Sequence, residues 1–394
     1  MASGLPIARV LGIEIRISLL WGALIALVTL MGAGQAGAVA PDLAPLLQWA
    51  IGAAVALGFL LSVIAHELSH ALVGRRYGVE SRQIVLGFIG GLAPLSIEAP
   101  SPRDELVIAL VGPALSLLVA GFAIPFALLA LAVGPSLTPV AGGLVVIGGL
   151  NLLLGLVSLL PGMPLDGGRV VRALAWARTG DRDRAGRVTA RVGRLLGWTL
   201  FGVGAALALA EQVTAGLLVI CLGWLLTTGA RTLDRRVAME TLLRGIPTRD
   251  ALRRDVPQLA PNLTVDTFAD RYQGEGAMAA LPVVDDGLVV GVVGVRGLQR
   301  LGRRRFAKTR AADVMAVPPQ APILAPGDPL WDAVDLMNTQ GLDGLAVAID
   351  GRLEGLLTRD SIGALVLRLG AGGPAAAAGP MGGQGPGPAG GGVP

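Results

Sequence analysis

Long apolar runs separated by short polar or charged stretches dominate the chain as far as about residue 230. They cover about residues 17–31, 46–73, 106–133, 140–160, 195–209 and 213–228. A helix needs roughly 20 apolar residues to cross the hydrocarbon core of a bilayer, which is about 30 Å thick. The pattern therefore predicts six transmembrane helices, the first of them lengthened by Ile13 and Ile15 upstream.

The arginines between these runs alternate from loop to loop. Lys and Arg are absent from the loops at 32–45, 134–139 and 211–212, whereas arginines follow the second, fourth and sixth runs. Positively charged loops tend to stay on the cytoplasmic side of a membrane. The sequence therefore predicts a multi-pass protein of the cell inner (plasma) membrane, with both termini in the cytoplasm.

Composition excludes several other classes of protein. Apolar residues make up 53% of the chain and charged residues only 15%, whereas a soluble domain carries about a quarter charged residues. The arginines that raise the pI to about 10.1 lie beside apolar runs, so they favour membrane orientation over nucleic-acid binding. We expect the lipid bilayer, and no nucleic acid, as a partner. The single cysteine, Cys221, excludes a disulfide scaffold.

Two copies of one short unit follow the apolar runs. Residues 280–294 and 344–358 each consist of an apolar stretch, an Asp-Gly turn and a second apolar stretch. A helix-like pattern precedes each copy, and their starts lie 64 residues apart (344 minus 280). This spacing suits two intertwined α/β modules. The tail from Gly370 is rich in Gly, Pro and Ala, carries no charge, and is predicted to be disordered.

The only two histidines of the chain, His66 and His70, lie four residues apart in the second apolar run. Residues four apart share a helix face, so both imidazoles can bind one metal ion while Glu67 reaches the water on that ion. Zinc lowers the pKa of its water to about 7, and a carboxylate beside it can take the proton. Two satisfied core histidines are the alternative, but ionisable groups inside a membrane are costly and favour a functional site.

A catalytic zinc ion usually has three protein ligands, and the chain offers no third histidine. The remaining ligand is therefore expected to be a carboxylate. Asp166 is the best candidate, because it follows the fourth apolar run where two prolines and three glycines interrupt helical structure. A helix cap in a surface loop is the alternative for this residue.

Two motifs, His66-Glu-Leu-Ser-His70 and Leu160-Pro-Gly-Met-Pro-Leu-Asp166-Gly-Gly-Arg169, together resemble those of the site-2 protease family of intramembrane zinc metalloproteases. The chain is similar to the bacterial branch that carries paired cystathionine-β-synthase (CBS) modules at its C-terminus. The resemblance extends to residues 11–17, 90–91 and 109–116. It implies a polytopic α-helical membrane protein of about six transmembrane helices with a short membrane-embedded β-hairpin, plus a cytosolic α/β tandem CBS module.

The resemblance also implies an activity and its residues. The family cleaves peptide bonds within or near the transmembrane helices of membrane-protein substrates. His66, His70 and Asp166 match the ligands of one zinc ion (Zn2+) per chain, and Glu67 matches the general base. The expected partners are therefore a transmembrane protein or peptide substrate and the bilayer around it.

Substrate positioning is implied at two further places. A hairpin or extended strand at residues 84–98 would align the unwound substrate by strand addition, with Gly90 and Gly91 as flexible points; an interfacial loop is the alternative. The family usually has an asparagine eight residues before the third ligand, where this chain has Ser158. Asn151, two helical turns earlier on roughly the same face, could partly cover that role and assist Ser158.

The two repeats resemble CBS modules, which in other proteins often bind adenine nucleotides between paired copies. The second repeat carries Thr358 and Asp360 where the family's ribose contacts lie, and the first, Gly291-Val-Val-Gly294-Val-Arg-Gly297, lacks both side chains at the corresponding place. We therefore expect at most one nucleotide site. A purely structural or dimer-forming pair is the alternative, and association through this module would give a homodimer.

Three segments are expected along the chain. Residues 1–238 form the transmembrane zinc metalloprotease domain and residues 239–369 the tandem CBS module, with its copies at about 246–306 and 311–369. Residues 370–394 form the tail. Two other functions stay open at this stage. One is a protease-like protein that holds membrane clients with weak or no cleavage, and the other is a CBS-gated transporter.

Overall fold

The computed structural model describes residues 4–79, 81, 83–87, 99–267, 279–294, 298, 303–319 and 321–371. The chain separates into two compact units, Met1–Leu242 and Leu243–Pro394. The first is mostly helical, and the second contains two small antiparallel sheets. The tail beyond residue 371 lies outside the described residues, so its predicted disorder stays a prediction.

Six of the described helices are long and apolar enough to cross a membrane, which confirms the predicted number of spans. They are α1 (Leu20–Val39), α2 (Pro45–Arg76), α3 (Pro102–Val133), α4 (Thr138–Ser158), α6 (Arg182–Leu209) and α7 (Val213–Leu243). A short 3-10 turn, Pro135–Leu137, leads into α4. The charged stretch between the fourth and fifth spans forms another helix, α5 (Asp166–Thr179).

The prediction that Ile13 and Ile15 lengthen the first span is wrong. They lie in a strand, β2 (Ile13–Ile17), and both side chains are buried. In Ile13-Glu-Ile-Arg-Ile17 apolar and polar residues alternate with the period of two that a half-buried strand requires. The helix starts later, at Leu20, and continues past the expected end of the span to Val39.

Two strands before the first span and one strand after the second span form a three-stranded sheet. Strand β1 (Leu5–Val10) pairs antiparallel with β2, and β2 pairs in parallel with β3 (Gln83–Leu86). The indole Nε1 of Trp21 donates a hydrogen bond to the Gly87 carbonyl at 2.9 Å, just beyond β3. The predicted substrate strand at 84–98 thus begins as a strand, while residues 88–98, with Gly90 and Gly91, lie outside the described residues.

The second unit contains the two predicted repeats. Strands β4 (Ala280–Asp285) and β5 (Leu288–Gly294) form one hairpin, and β6 (Gly344–Ile349) and β7 (Arg352–Thr358) form the other. Both hairpins turn at an Asp-Gly pair with positive φ angles and carry a register shift at corresponding positions. In the described part of this unit three helices accompany them: α8 (Ala311–Val314), α9 (Leu330–Gln340) and α10 (Arg359–Ala371).

Candidate metal centre

Three side chains from two helices that are distant in sequence meet at one point of the first unit. His66 and His70 come from adjacent turns of α2, and Asp166 is the first residue of α5. Their candidate ligand atoms all lie within 4.8 Å of one another. His66 is 3% exposed, so the cluster is screened from solvent on the side of α2. The structure therefore brings together the three residues that the sequence singled out as ligands.

The spacing of these atoms fits a tetrahedral metal ion. The Nε2 atoms of His66 and His70 lie 3.4 Å apart, and Asp166 carboxylate oxygens lie 3.3 Å from one and 3.4 Å from the other. Zinc binds imidazole nitrogen and carboxylate oxygen at about 2.0–2.1 Å, which places neighbouring ligands of a tetrahedron about 3.3 Å apart. Asp166 offers Oδ2 to His66 and Oδ1 to His70, so neighbouring donor atoms of the cluster are about as far apart as the ligands of one zinc ion.

The outer nitrogens of both imidazoles are held by the protein. His70 Nδ1 donates to the carbonyl oxygen of Ile108 at 2.6 Å, and His66 Nδ1 lies 2.8 Å from the hydroxyl of Ser116. Because a carbonyl can only accept, the proton of a neutral His70 ring sits on Nδ1 and its Nε2 carries a lone pair. That lone pair faces a second imidazole nitrogen and a carboxylate, an arrangement that a cation between them stabilises.

Gly112 of α3 leaves the space that such an ion needs. A Cβ atom built on Gly112 would lie 2.2 Å from His70 Nε2 and 2.8 Å from His66 Nε2. The shorter distance is close to a zinc–nitrogen bond length of about 2.0–2.1 Å, so a side chain at Gly112 would occupy the volume next to both Nε2 atoms. The donor set and the space both fit a metal ion.

The turn between α4 and α5 places Asp166. Gly167 packs so closely against the preceding turn that a Cβ there would lie 2.1 Å from the Leu159 carbonyl oxygen. Burial opposes ionisation of Asp166, but its contacts with His66 and His70 outweigh that effect, so the pKa of its carboxyl lies below its ordinary value. Asp166 is therefore an anion at neutral pH, as a metal ligand must be.

Other predicted residues lie on α2 and α4. Glu67 is half-buried on α2 and close enough to His70 to interact with it electrostatically. Asn151 and Ser158 share the buried face of α4, where their side chains donate hydrogen bonds to the carbonyls of Ile147 and Gly155. The Oδ1 atom of Asn151 is buried and accepts no hydrogen bond from the described residues.

Sequence reasoning missed the contribution of α3. Its buried face carries Glu105, Ile108, Gly112 and Ser116, three or four residues apart, and three of these four contact the imidazoles. The fourth, Glu105, accepts hydrogen bonds from Arg172 of α5, with Nε at 2.7 Å. A polar or small residue at every turn of an apolar span was the available signal, although the sequence does not tell which helix that face meets.

In the second unit, the two predicted nucleotide contacts have different environments. Thr358 is buried, and its hydroxyl accepts a hydrogen bond from the amide of Ser361 at the start of α10. Ser361 returns the contact by accepting from the Thr358 amide. Asp360 is exposed on the first turn of α10. The Thr358 hydroxyl therefore caps a helix and still has a proton to donate.

Known proteins share both units of the chain. Residues 54–137 and 137–200 match Peptidase family M50, and residues 249–302 and 311–365 match the CBS domain. A Mycobacterium tuberculosis protein named as a zinc metalloprotease, Rip3, is 33% identical over 93% of this chain and 93% of its own length. A Synechocystis protein, also named as a zinc metalloprotease, is 29% identical over 92% of this chain and 95% of its own length. The chain belongs to the site-2 protease family.

The solved site-2 protease from Methanocaldococcus jannaschii is 24% identical, with a TM-score of 0.40, and covers 59% of this chain and 96% of that chain. The matches to Peptidase family M50 and to the CBS domain, with the relative that is 33% identical, make the present chain a zinc metalloendopeptidase with a tandem CBS module, as its sequence resemblance implied. Its six apolar helices and its family make it a multi-pass membrane protein that acts on membrane-protein substrates in the bilayer.

Proposed function

We propose that this site-2 protease hydrolyses peptide bonds within or near transmembrane helices, with His66, His70 and Asp166 holding one zinc ion per chain and Glu67 as the general base. The observation that carries the proposal is the convergence of both Nε2 atoms, 3.4 Å apart, on the Asp166 carboxylate, whose Oδ2 lies 3.3 Å from His66 and whose Oδ1 lies 3.4 Å from His70. These separations are close to the distance of about 3.3 Å between neighbouring ligands of a tetrahedral zinc ion.

A zinc ion at this site supplies a water of lowered pKa and polarises the scissile carbonyl. Glu67 takes the proton from the attacking water and later gives it to the leaving amine. Ser116 and Ile108 keep the two imidazoles in the orientation that presents Nε2. Asn151, with its buried and unsatisfied Oδ1, accepts a hydrogen bond from the substrate backbone, and Ser158 assists on the same face of α4. Gly90 and Gly91 are proposed as flexible points of the substrate strand.

The test measures zinc by mass spectrometry and cleavage of a transmembrane test peptide on the same detergent-purified samples. The wild type is expected to hold about one zinc per chain and to cut the peptide. His66→Ala and Asp166→Ala should lose both properties. Glu67→Gln should keep the zinc and lose cleavage, because only the general base has been removed.

Other results would favour the other functions. A wild type that holds zinc and binds the test peptide without cutting it would indicate a client-holding protein. A wild type without zinc would exclude the metal site and leave a CBS-gated transporter as the next reading. Zinc retained by Asp166→Ala would exclude this residue as the third ligand.

The organisation of the chain follows the same proposal. Residues 1–238 form the protease domain, residues 239–369 the CBS module and residues 370–394 the tail; the division of the structure near Leu242 supports the first boundary. We place the protein in the inner (plasma) membrane with both termini in the cytoplasm. The arginines of α5 and the start of α6 support this orientation, because they flank the spans on one side.

The CBS module is proposed to bind one adenine nucleotide and to form a homodimer. The Thr358 hydroxyl can donate a hydrogen bond to a ribose, and Asp360 is exposed beside it. Calorimetry of the full-length protein with AMP and ATP should detect binding that Thr358→Val and Asp360→Ala weaken. Binding heats in both variants that equal those of the wild type would exclude this nucleotide site. Light scattering in detergent measures the mass of the protein, and the mass of a monomer would contradict the homodimer.

A further inference from the structure

Helix α5 carries a row of charged residues along one face. Asp166, Arg169 and Arg172 follow each other at three-residue intervals, so they lie on neighbouring turns of the same side. Both ends of the row are fixed by contacts. Asp166 meets the two histidines, and Arg172 donates to the carboxylate of Glu105 on α3. The face that contains Arg169 is therefore turned toward α3.

The two helices run in opposite directions along this contact. On α3, Glu105 lies seven residues before Gly112, which borders the histidines; on α5, Arg172 lies six residues after Asp166. Arg169 is midway, about one turn from Asp166. Side chains on a helix lean toward its N-terminus, so the guanidinium of Arg169 reaches back in the direction of Asp166.

The Nε atom of Arg169 is buried and donates no hydrogen bond to any described residue. A buried donor without an acceptor costs about 1–3 kcal/mol. Two of the three carboxylates that act electrostatically on Arg169 are engaged by other residues: Glu105 accepts from Arg172, and Asp166 faces the two imidazoles. The N–H is thus buried without an acceptor among the described residues and is free to meet a substrate oxygen.

The electrostatic surroundings agree with this position. Burial lowers the pKa of the Arg169 guanidinium, while the negative charges of Glu105, Asp166 and Glu67 raise it and the charge of Arg172 lowers it again. A guanidinium keeps its positive charge in proteins. A fixed positive charge thus lies within electrostatic range of both the third ligand and the general base.

We infer that Arg169 is a further catalytic residue, whose Nε–H donates to the carbonyl oxygen of the scissile peptide bond as that oxygen becomes negative. The inference rests on the proposed hydrolysis. The water oxygen bonds to the carbonyl carbon, its proton moves to Glu67, and the electron pair of the C=O bond moves to the oxygen beside Arg169. When the C–N bond breaks, that pair re-forms the carbonyl and Glu67 protonates the amine.

The test compares Arg169→Gln and Arg169→Lys with Arg178→Gln, an exposed arginine on the last turn of the same helix. Zinc content, kcat and KM for a transmembrane test peptide are measured on each purified full-length protein. Arg169→Gln should keep about one zinc per chain and lose about 100- to 1,000-fold in kcat with KM within about threefold, the usual cost of an oxyanion donor. Arg169→Lys should recover part of kcat because it keeps the charge, and Arg178→Gln should match the wild type.

Several results would overturn the inference. An unchanged kcat in Arg169→Gln is the first, and a rise in KM alone, which would indicate ground-state binding, is the second. Loss of zinc from both Arg169 variants, which would indicate a structural role, is the third. If only Arg169→Gln loses zinc or fails to fold, Arg169→Lys decides, and a kcat of Arg169→Lys equal to that of the wild type then counts against the inference. A wild type without zinc or cleavage would instead contradict the proposed function, so the two failures are distinguishable.

Discussion

Gly112 contributes to the metal centre through the side chain that it lacks. Any larger residue would place its Cβ 2.2 Å from the Nε2 atom of His70. The apolar wall of α3 can therefore approach the two histidines closely enough for the Ile108 carbonyl and the Ser116 hydroxyl to hold their outer nitrogens. The missing side chain at Gly112 thus allows α3 to lie close to α2, and this closeness lets α3 orient both imidazoles.

The first prediction is that Gly112→Ala loses zinc, because the new methyl group occupies the space next to both Nε2 atoms. Gly121→Ala is the matched control on the same helix, since a Cβ there would have nothing within 4 Å. Mass spectrometry of the purified proteins should show about one zinc per chain in the control and less than a tenth of that in Gly112→Ala. Full zinc occupancy of Gly112→Ala would contradict the geometry described above.

The second prediction concerns the hydroxyl that contacts His66 Nδ1 at 2.8 Å. Ser116→Ala should weaken zinc binding by about 10- to 100-fold, which is the usual effect of removing a partner behind a ligand. Competition with a zinc chelator measures the affinity directly. Ser116→Thr keeps a hydroxyl and should lie closer to the wild type; equal affinities in all three proteins would mean that the contact contributes nothing.

At the residue scale the sequence singled out the three residues that the structure brings together, and missed the residues that pack behind them. His66 and His70 were accessible because four-residue spacing fixes their common face from local geometry alone. Asp166 followed from the number of ligands that zinc requires. Gly112 and Ser116 were not accessible, because their roles depend on which side of α3 meets α2, and that is decided by packing between elements.

Among the elements, the charged stretch between the fourth and fifth spans shows how a polar sequence can still be helical. Asp181 caps α6 by accepting hydrogen bonds from the amides of Asp183 and Arg184 at 2.8 and 3.0 Å. The hydrogen bond from Arg184, together with that from Asp183, holds the pKa of the Asp181 carboxyl below its ordinary value despite an opposing solvation effect. The carboxylate form therefore caps better than the acid.

The third prediction follows from the sign of that shift. Because the pKa is lowered in the folded state, the cap is fully present above the ordinary aspartate pKa, about 3.9, and is lost as the pH falls through the lowered value. Hydrogen exchange at the start of α6, corrected for the intrinsic rate, should accelerate in that range. Asp181→Ala should exchange faster at neutral pH, whereas Asp181→Ser keeps a cap without the pH dependence. Identical profiles in all three would contradict the cap.

The boundary between β2 and α1 shows why element limits were harder to predict than element types. Five residues that alternate between apolar and polar were read as part of a long apolar run, because the isoleucines outweigh the two charges between them. The alternation of period two indicates a strand rather than a helix only because β1 and β3 pair with β2. The partner residues on β3 lie 69 residues away (83 minus 14), so they cannot be seen in a local window.

For the whole molecule, the distribution of arginines gives the fourth prediction. Single cysteines are placed at the exposed positions Asp42 and Arg184 in a Cys221→Ser background. An impermeant thiol reagent added to intact cells should label Asp42→Cys, and Arg184→Cys should react only after the cells are permeabilised. The reverse labelling pattern would mean that the orientation in the membrane is inverted. Equal labelling of both cysteines would contradict the placement of the two loops on opposite sides of the membrane.

The parallel pairing of β2 with β3 makes the position of β3 depend on the N-terminal strand β2. Each residue of Gln83–Leu86 is set against one of Glu14–Ile17, and a slip by one residue would turn every side chain of β3 to the opposite face. A deletion or insertion within Glu14–Ile17 would therefore change the register of a strand that lies far along the sequence. Affinity tags on this protein belong before residue 4 or at the C-terminal end, where they leave that alignment intact.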